Sequence, residues 1–171
     1  MQHGDQLQKY CAHLTRMAFE RKYPHPWLVR ELQDAERSPS SFRTMAADEA
    51  PALLSSGTLA LAQQLRTDPG RFGMHPVAKG ANNPWVDRVL VGRAFNNDIT
   101  LRHEAVSKLH AYFEKDQHGD WRLFDANSAN GTQMNGHRVE GFVSVKSGAH
   151  LVFGNVPCDF LSSIDLYDLL A

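Results

Sequence analysis

The sequence predicts an antiparallel β-sandwich preceded by an α-helical N-terminal region. Three observations predict it. From residue 85 onward, short β-prone runs recur: Val89-Leu90-Val91, Ala111-Tyr112-Phe113, Trp121-Arg122-Leu123-Phe124, Val143-Ser144-Val145 and Leu151-Val152-Phe153. Glycine, asparagine and aspartate punctuate these runs, and evenly spaced short strands are the pattern of a sandwich. Before residue 67 the apolar residues repeat instead at helical spacing.

Taken in order, Leu7, Tyr10, Cys11, Leu14, Met17 and Ala18 line one face of a first helix, which Asp5 is placed to cap. Tyr23-Pro24 ends it, because proline disfavours helical geometry in the residue before it. Pro26 suits a first helical turn, so Trp27, Leu28 and Leu32 predict a second short helix. Residues 37–41 read as a loop. Leu53, Leu54, Leu59, Leu61 and Leu65 predict helix on either side of a bend at Gly57. Residues 67–84, rich in Gly, Pro, Asn and Asp, predict a linker or an irregular first strand. His118-Gly119-Asp120 and Asn135-Gly136 predict hairpin turns. Phe160, Leu161 and Ile164 begin a last strand, and residues 166–170 close the chain as a helical turn. The expected organisation is a helical region over 1–66, a linker or irregular strand over 67–84 and the sandwich over 85–171.

Composition narrows the function. The chain has 171 residues, a net charge of −1 and a pI near 6.7, so it lacks the basic footprint of a nucleic-acid binder. No apolar run approaches the length that spans a bilayer, and the polar stretch from Met1 to Asp5 has no signal-peptide core. The two cysteines, Cys11 and Cys158, fall one in each half, which argues against a disulfide framework and for a reducing cytoplasm. The nine histidines are scattered, without H-E-x-x-H, and no Gly-rich nucleotide loop is followed by lysine and a hydroxyl residue. The expectation is a binding protein: no enzyme, no metal, no cofactor.

Three clusters stand out: Gly92-Arg93, Ser107-Lys108-Leu109-His110, and Ser128-Ala129-Asn130-Gly131-Thr132. Each falls where a strand gives way to a loop. Arg93 offers a permanently charged fork of donors to phosphate oxygens, and Ser107 offers a hydroxyl donor. Asn130 adds a side-chain amide, and Gly131 marks a backbone position with positive φ. A cation, a hydroxyl and an amide converging from loops read an anion. No nucleophile or second acid accompanies His110 to make it a general base.

These residues closely resemble the forkhead-associated (FHA) domain, a phosphothreonine-peptide recognition module. The resemblance is carried by Gly92-Arg93, Asn97-Asp98-Ile99, Ser107-Lys108-Leu109-His110, Asp125 with Ser128 through Gly136, and Phe153-Gly154, in order and at family-like spacing over about residues 85–170. It implies an FHA-like sandwich in which Arg93 and Ser107 hold the phosphate and Asn130 grips the main chain beside the phosphothreonine. It implies that His110 braces the binding loops, with Gly92, Gly131, Thr132 and Asn135 in structural support. Two positions depart from the pattern. Lys108 stands where arginine is common, leaving either a point charge on phosphate or a solvated cation. Ala129 stands where many members carry a polar side chain, leaving only its backbone N–H. The neutral Ala105 implies an apolar or undemanding preference after the phosphothreonine, whereas Arg102 and His103 in the same loop would restore an acidic one. In the family the threonine methyl enters a small apolar pocket, worth about 0.8 kcal/mol by area.

The implied function is a phosphothreonine-dependent adaptor in Ser/Thr-kinase signalling, partnered by a phosphorylated protein. The alternative is a phosphate-independent FHA-like scaffold or dimerisation module, motivated by Lys108 and Ala129. The helical N-terminal face either completes the core or forms a homodimer or partner interface. Thr44, Thr58 and Thr67 lie in or near stretches read as flexible and are candidate phosphoacceptors, and a phosphorylated Thr67 in the linker is a candidate to dock on the same site of its own or a neighbouring chain.

Overall fold

The structure, a computed structural model, describes residues 1–33, 36 and 58–171. The apolar runs beyond residue 85 become strands β4 (Arg88–Gly92), β5 (Ile99–Thr100), β6 (Ala111–Lys115), β7 (Trp121–Asp125), β8 (Thr132–Met134), β9 (His137–Arg138), β10 (Phe142–Ser144), β11 (Ala149–Phe153) and β12 (Val156–Leu161). Three more strands precede them: β1 (Gln2–His3), β2 (Trp27–Glu31) and β3 (Phe72–Pro76). The helices are α1 (Gly4–Cys11), α2 (Arg16–Lys22), α3 (Thr58–Thr67) and α4 (Ser163–Leu170). Among the described residues the strands form two sheets, in the orders β1-β3-β2-β12-β11-β8-β9 and β10-β7-β6-β4-β5. The pairings are antiparallel except for the parallel pair β4–β5, so the smaller sheet is mixed.

Alternation along the strands builds two cores. Val89, Val91, Ala111, Phe113 and Leu123 face Leu151, Phe153, Cys158 and Phe160 between the sheets. The other face of β2, β3 and β12 presents Trp27, Val29, Phe72, Met74 and Leu161 to Leu7, Phe19, Leu65 and Leu166 of the helices. On the outer face of the smaller sheet, Phe142, Phe124, Tyr112 and Leu90 align in one row, with Tyr112 and Phe124 stacked at 4.8 Å. Asn135 and Gly136, with φ of 49° and 83°, make the tight turn expected between β8 and β9. Gly119, φ 85°, lies in the turn between β6 and β7.

Trp27–Glu31 is a strand, not the expected short helix. Trp27, Leu28, Val29 and Arg30 are all buried, because β2 lies between the inter-sheet core and the helical layer. A strand covered on both faces reads as an unbroken apolar run, which periodicity cannot tell from a buried helix. β2 also pairs with β12, so the larger sheet runs from the N-terminal part into the region beyond residue 85. The first helix is two helices. Thr15 accepts from the Ala18 amide and starts α2 afresh, so the 3.6-residue period is interrupted, and Tyr10 (46% exposed) and Met17 (72%) lie outside the apolar face. The first helix is preceded by His3, without a side-chain cap from Asp5, which instead sits in its first turn. Within 67–84, Phe72–Pro76 is a regular strand paired with both β1 and β2. Ile164 belongs to α4, whose N-cap Ser162 accepts from the Asp165 amide at 3.1 Å. The loop expected at 37–41 and the bend at Gly57 lie outside the described residues.

Because Leu28 is fully buried in the inter-sheet core, Leu28→Ala is expected to cost about 2–5 kcal/mol in one unfolding transition. Urea denaturation followed by both far-UV circular dichroism and tryptophan fluorescence checks this. A second transition, with the midpoint of the first unchanged, would show that β2 belongs to a separate unit.

Candidate functional site

The loops at one end of the sandwich are joined by a buried histidine. His110 is 0% exposed. Its Nδ1 accepts from the Ser107 amide at 3.0 Å, and its Nε2 lies 3.0 Å from the Gly131 carbonyl oxygen. A ring that accepts at Nδ1 and meets a carbonyl at Nε2 is neutral and carries its proton on Nε2. Burial pulls the imidazole pKa below its ordinary value, against the opposing influence of the Gly131 carbonyl and Asp125. The ring also stands edge-on to Phe153, with centroids 5.9 Å apart. The same Gly131 carbonyl accepts from the Gly154 amide. One side chain thus connects the β5–β6 loop, the β7–β8 loop and the turn after β11.

The β7–β8 loop has its own hub. Asp125 Oδ1 accepts from the hydroxyls of Ser128 and Thr132, each at 2.6 Å, and Oδ2 accepts from the Ser128 amide at 3.0 Å. Burial raises the Asp125 pKa, but the hydrogen bonds from Ser128 and Thr132 outweigh it and hold the carboxyl below its ordinary value. Ser128 Oγ in turn accepts from the Gly131 amide at 2.9 Å. Gly131 has φ of 82°, a left-handed conformation that favours glycine.

On this frame sit the candidate binding residues. The Arg93 amide donates to the Ser107 carbonyl at 2.9 Å, and its Nε donates to the Val106 carbonyl at 3.1 Å. The two terminal guanidinium nitrogens have no hydrogen-bond partner among the described residues and the side chain is exposed. Asp98 does not pair with it. That carboxylate accepts from Gly80, Asn83 and Leu90 instead. Ser107 Oγ accepts from the Ala129 amide at 3.0 Å, which leaves its own proton to donate. Lys108 is exposed and has no ion pair among the described residues. The Asn130 side-chain Nδ2 donates to the Ala105 carbonyl at 2.9 Å. The structure therefore brings Arg93, Ser107, Lys108, Ala129 and Asn130 to one set of joined loops.

Close approach explains Gly92. A Cβ there would collide with the Lys108 carbonyl and lie 2.8 Å from Asn97 Nδ2. Asn97 Nδ2 donates at 2.7 Å to the carbonyls of both Ala94 and Lys108. Of the residues expected to set specificity, Ala105 lies in the cluster as the partner of Asn130. His103 Nδ1 accepts from the Ala105 amide at 3.1 Å. Arg102 is exposed and is close enough to Glu36 to favour its ionised form, where burial opposes that ionisation and Arg30 is the main partner. Asn135 is not at the cluster. It lies beyond the far end of β8, tied to β11 through the His150 amide at 2.9 Å. Thr67 is the last residue of α3, its hydroxyl donating to the Gln63 and Gln64 carbonyls; Thr44 lies outside the described residues.

Sequence reasoning assigned no role to Asn97, Asp125 or Arg138. The spacing of Asp125 and Ser128 was a usable signal, since aspartate accepts from amides a few residues on in tight turns. Arg138 had none. The β8–β9 hairpin delivers its guanidinium to within about 3 Å of where a Gly131 Cβ would stand.

Residues 89–154 match the family model described as the FHA domain. Among solved structures, the chain is similar to EmbR of Mycobacterium tuberculosis in complex with a low-affinity phosphopeptide, at 20% identity and TM-score 0.45, over 61% of this chain and 28% of that one. It is similar to the FHA domain of the CT664 protein of Chlamydia trachomatis, at 14% identity and TM-score 0.49, over 80% and 97%. It is also similar to the first FHA domain of Rv1747 from Mycobacterium tuberculosis, at 28% identity and TM-score 0.43, over 53% and 87%. The chain thus spans little more than a quarter of the EmbR chain. No curated protein sequence matches it.

A neutral His110 makes the loop cluster pH-sensitive. In the unfolded chain the imidazole titrates at about 6.5, and in the folded chain lower. Its contribution to stability is therefore full above the unfolded value and is lost as pH falls below it. We expect the melting temperature to drop between about pH 7 and pH 5, and the drop to shrink in His110→Gln. The comparison isolates His110 from His75, which burial and Arg30 hold down to about 3 and which acts with the same sign. An equal drop in both proteins would place the protons elsewhere.

Proposed function

We propose, from the premise that residues 89–154 form an FHA domain, that its loop end binds a phosphothreonine-bearing segment of a partner protein and catalyses nothing. The protein would then act as an adaptor in Ser/Thr-kinase signalling, recruited when its partner is phosphorylated. The observation that carries this reading is the set of unspent donors on the joined loops. The Arg93 terminal nitrogens, the Ser107 hydroxyl proton and the Lys108 ammonium lack partners among the described residues, while backbone bonds hold residues 93, 107 and 108 together. A phosphate brings about two negative charges and several strong acceptor oxygens, which suits a fork, a hydroxyl and an ammonium.

Phosphate supplies the switch and the threonine methyl the finer discrimination. Charged hydrogen bonds are worth about 1.5–3 kcal/mol each, against about 0.8 kcal/mol for one buried methyl. Losing the phosphate therefore outweighs exchanging threonine for serine.

One observation favours a second reading, the phosphate-independent scaffold. The Ala129 amide is committed to Ser107 and the Asn130 side chain to Ala105, so part of the donor set is spent within the loops. Among the described residues no helix is long and apolar enough to cross a membrane.

Titration of a phosphothreonine peptide library and its unphosphorylated twin separates the two readings. Arg93→Ala is expected to weaken phosphopeptide binding by about 1.5–3 kcal/mol. Its stability should change by about 0.5 kcal/mol or less, as at an ordinary surface site. Equal affinity for the phosphorylated and plain peptides would favour the scaffold.

A further inference from the structure

The rim of the loop cluster carries two apolar side chains that the phosphate-binding arrangement does not use. Phe95 is 85% exposed and Leu109 is 42% exposed. A single exposed apolar side chain on a surface is ordinary; the placement of this pair is not scattered. Phe95 follows Ala94 and Leu109 follows Lys108, and the Ala94 amide donates to the Lys108 carbonyl at 3.2 Å. The two side chains therefore root on either side of one hydrogen-bonded clamp. Asn97 doubles that clamp through its 2.7 Å bonds to both carbonyls, and its amide closes a turn back onto Ala94 with Phe95 at the tip.

Their position relative to the phosphate donors follows from the order of contacts along the β5–β6 loop. Ala105 is held by Asn130, Ser107 by Ala129 and Arg93, and Lys108 by Ala94 and Asn97. Asn130 thus lies at one end of this row, Arg93 and Ser107 in the middle, and Phe95 with Leu109 at the other end. Asp98, the carboxylate nearest to Phe95 in sequence, is turned to Gly80, Asn83 and Leu90. That end of the row therefore offers apolar surface on a preorganised turn.

We infer that Phe95 and Leu109 seat an apolar side chain of the bound segment, so that the site prefers phosphothreonine peptides with an aliphatic or aromatic residue on the flank away from Asn130. The inference rests on the phosphothreonine reading above and names the class of segment that this site selects. The backbone that carries Phe95 is already held by the Asn97 bonds, so covering the ring orders only its side chain and part of the hydrophobic gain passes into affinity.

The test uses the full chain and a phosphothreonine peptide library varied at the three positions on each side of the modified residue. We expect apolar residues to be enriched on one flank alone. Replacing the preferred residue with serine should weaken binding about tenfold. In the double variant Phe95→Ser, Leu109→Ser that tenfold discrimination should vanish, while the loss of binding on dephosphorylation persists. Phe95→Tyr, which keeps the ring, should retain the preference. Absence of any one-sided apolar preference, or its survival in the double variant with phosphate dependence intact, would overturn the inference and leave the phosphothreonine reading standing. Absence of phosphate dependence in the unaltered protein would overturn both. Should the double variant fail to fold, Phe95→Ser alone carries the same test, because that side chain is almost entirely outside the core.

Discussion

Through one ring, His110 ties the amide of Ser107 to the carbonyl of Gly131, which lies twenty-one residues beyond the histidine. Each bond needs a different state of the nitrogen that makes it: bare at Nδ1, protonated at Nε2. Only the neutral ring in one tautomer satisfies both. Burial supplies that state by disfavouring the charged form. The histidine thus sets the spacing of the β5–β6 and β7–β8 loops; Gly131 also receives the Gly154 amide, Ser107 also receives the Ala129 amide, and the Arg93 amide joins the β4–β5 loop to the Ser107 carbonyl. Ser107 and the loop that carries Ala129 and Asn130 are held at this spacing by one buried group.

The second constraint is crowding. Gly92 and Gly154 lie where backbone presses on backbone: a side chain at either would collide with a carbonyl, of Lys108 in one case and Ala105 in the other. Those two carbonyls belong to the loop that carries Ser107. The β5–β6 loop is thus pinned from β4 at one side and from the end of β11 at the other, with Asp125 fixing the β7–β8 loop beside it. Donors held in place before a ligand arrives lose little freedom on binding.

The sheet that supports these loops extends into the N-terminal part of the chain. β2 passes between two apolar layers, sending Leu28 inward and Trp27 and Val29 outward to the helices. A helical layer over one half of the larger sheet buries a face that would otherwise be a broad apolar patch. This arrangement explains why Trp27, at the junction of three elements, is fully buried despite its size. It also gives the helical part a packing role on the sheet.

Particular residues show where reading from sequence reached. The alternation in Ala111-Tyr112-Phe113 and Leu151-Val152-Phe153, the turn at Asn135-Gly136 and the helix stop at Tyr23-Pro24 all express local chemistry: period two for a half-buried strand, positive φ for a tight turn, a proline ring against the preceding residue. The loop positions of Arg93, Ser107 and Asn130 were legible for the same reason. Trp27-Leu28-Val29 was not, because burial on both faces removes the alternation that marks a strand. The break before Thr15 was hidden because one capping hydroxyl restarts the helical phase without altering composition. What the sequence determined by itself was the alphabet of elements and the residue types at their ends, since those depend on neighbours a few positions away. Which nitrogen of His110 carries the proton, which donors of Arg93 stay unspent and which apolar side chains share a rim were decided only by the tertiary structure, because each depends on groups distant in sequence brought within a hydrogen bond or a van der Waals contact.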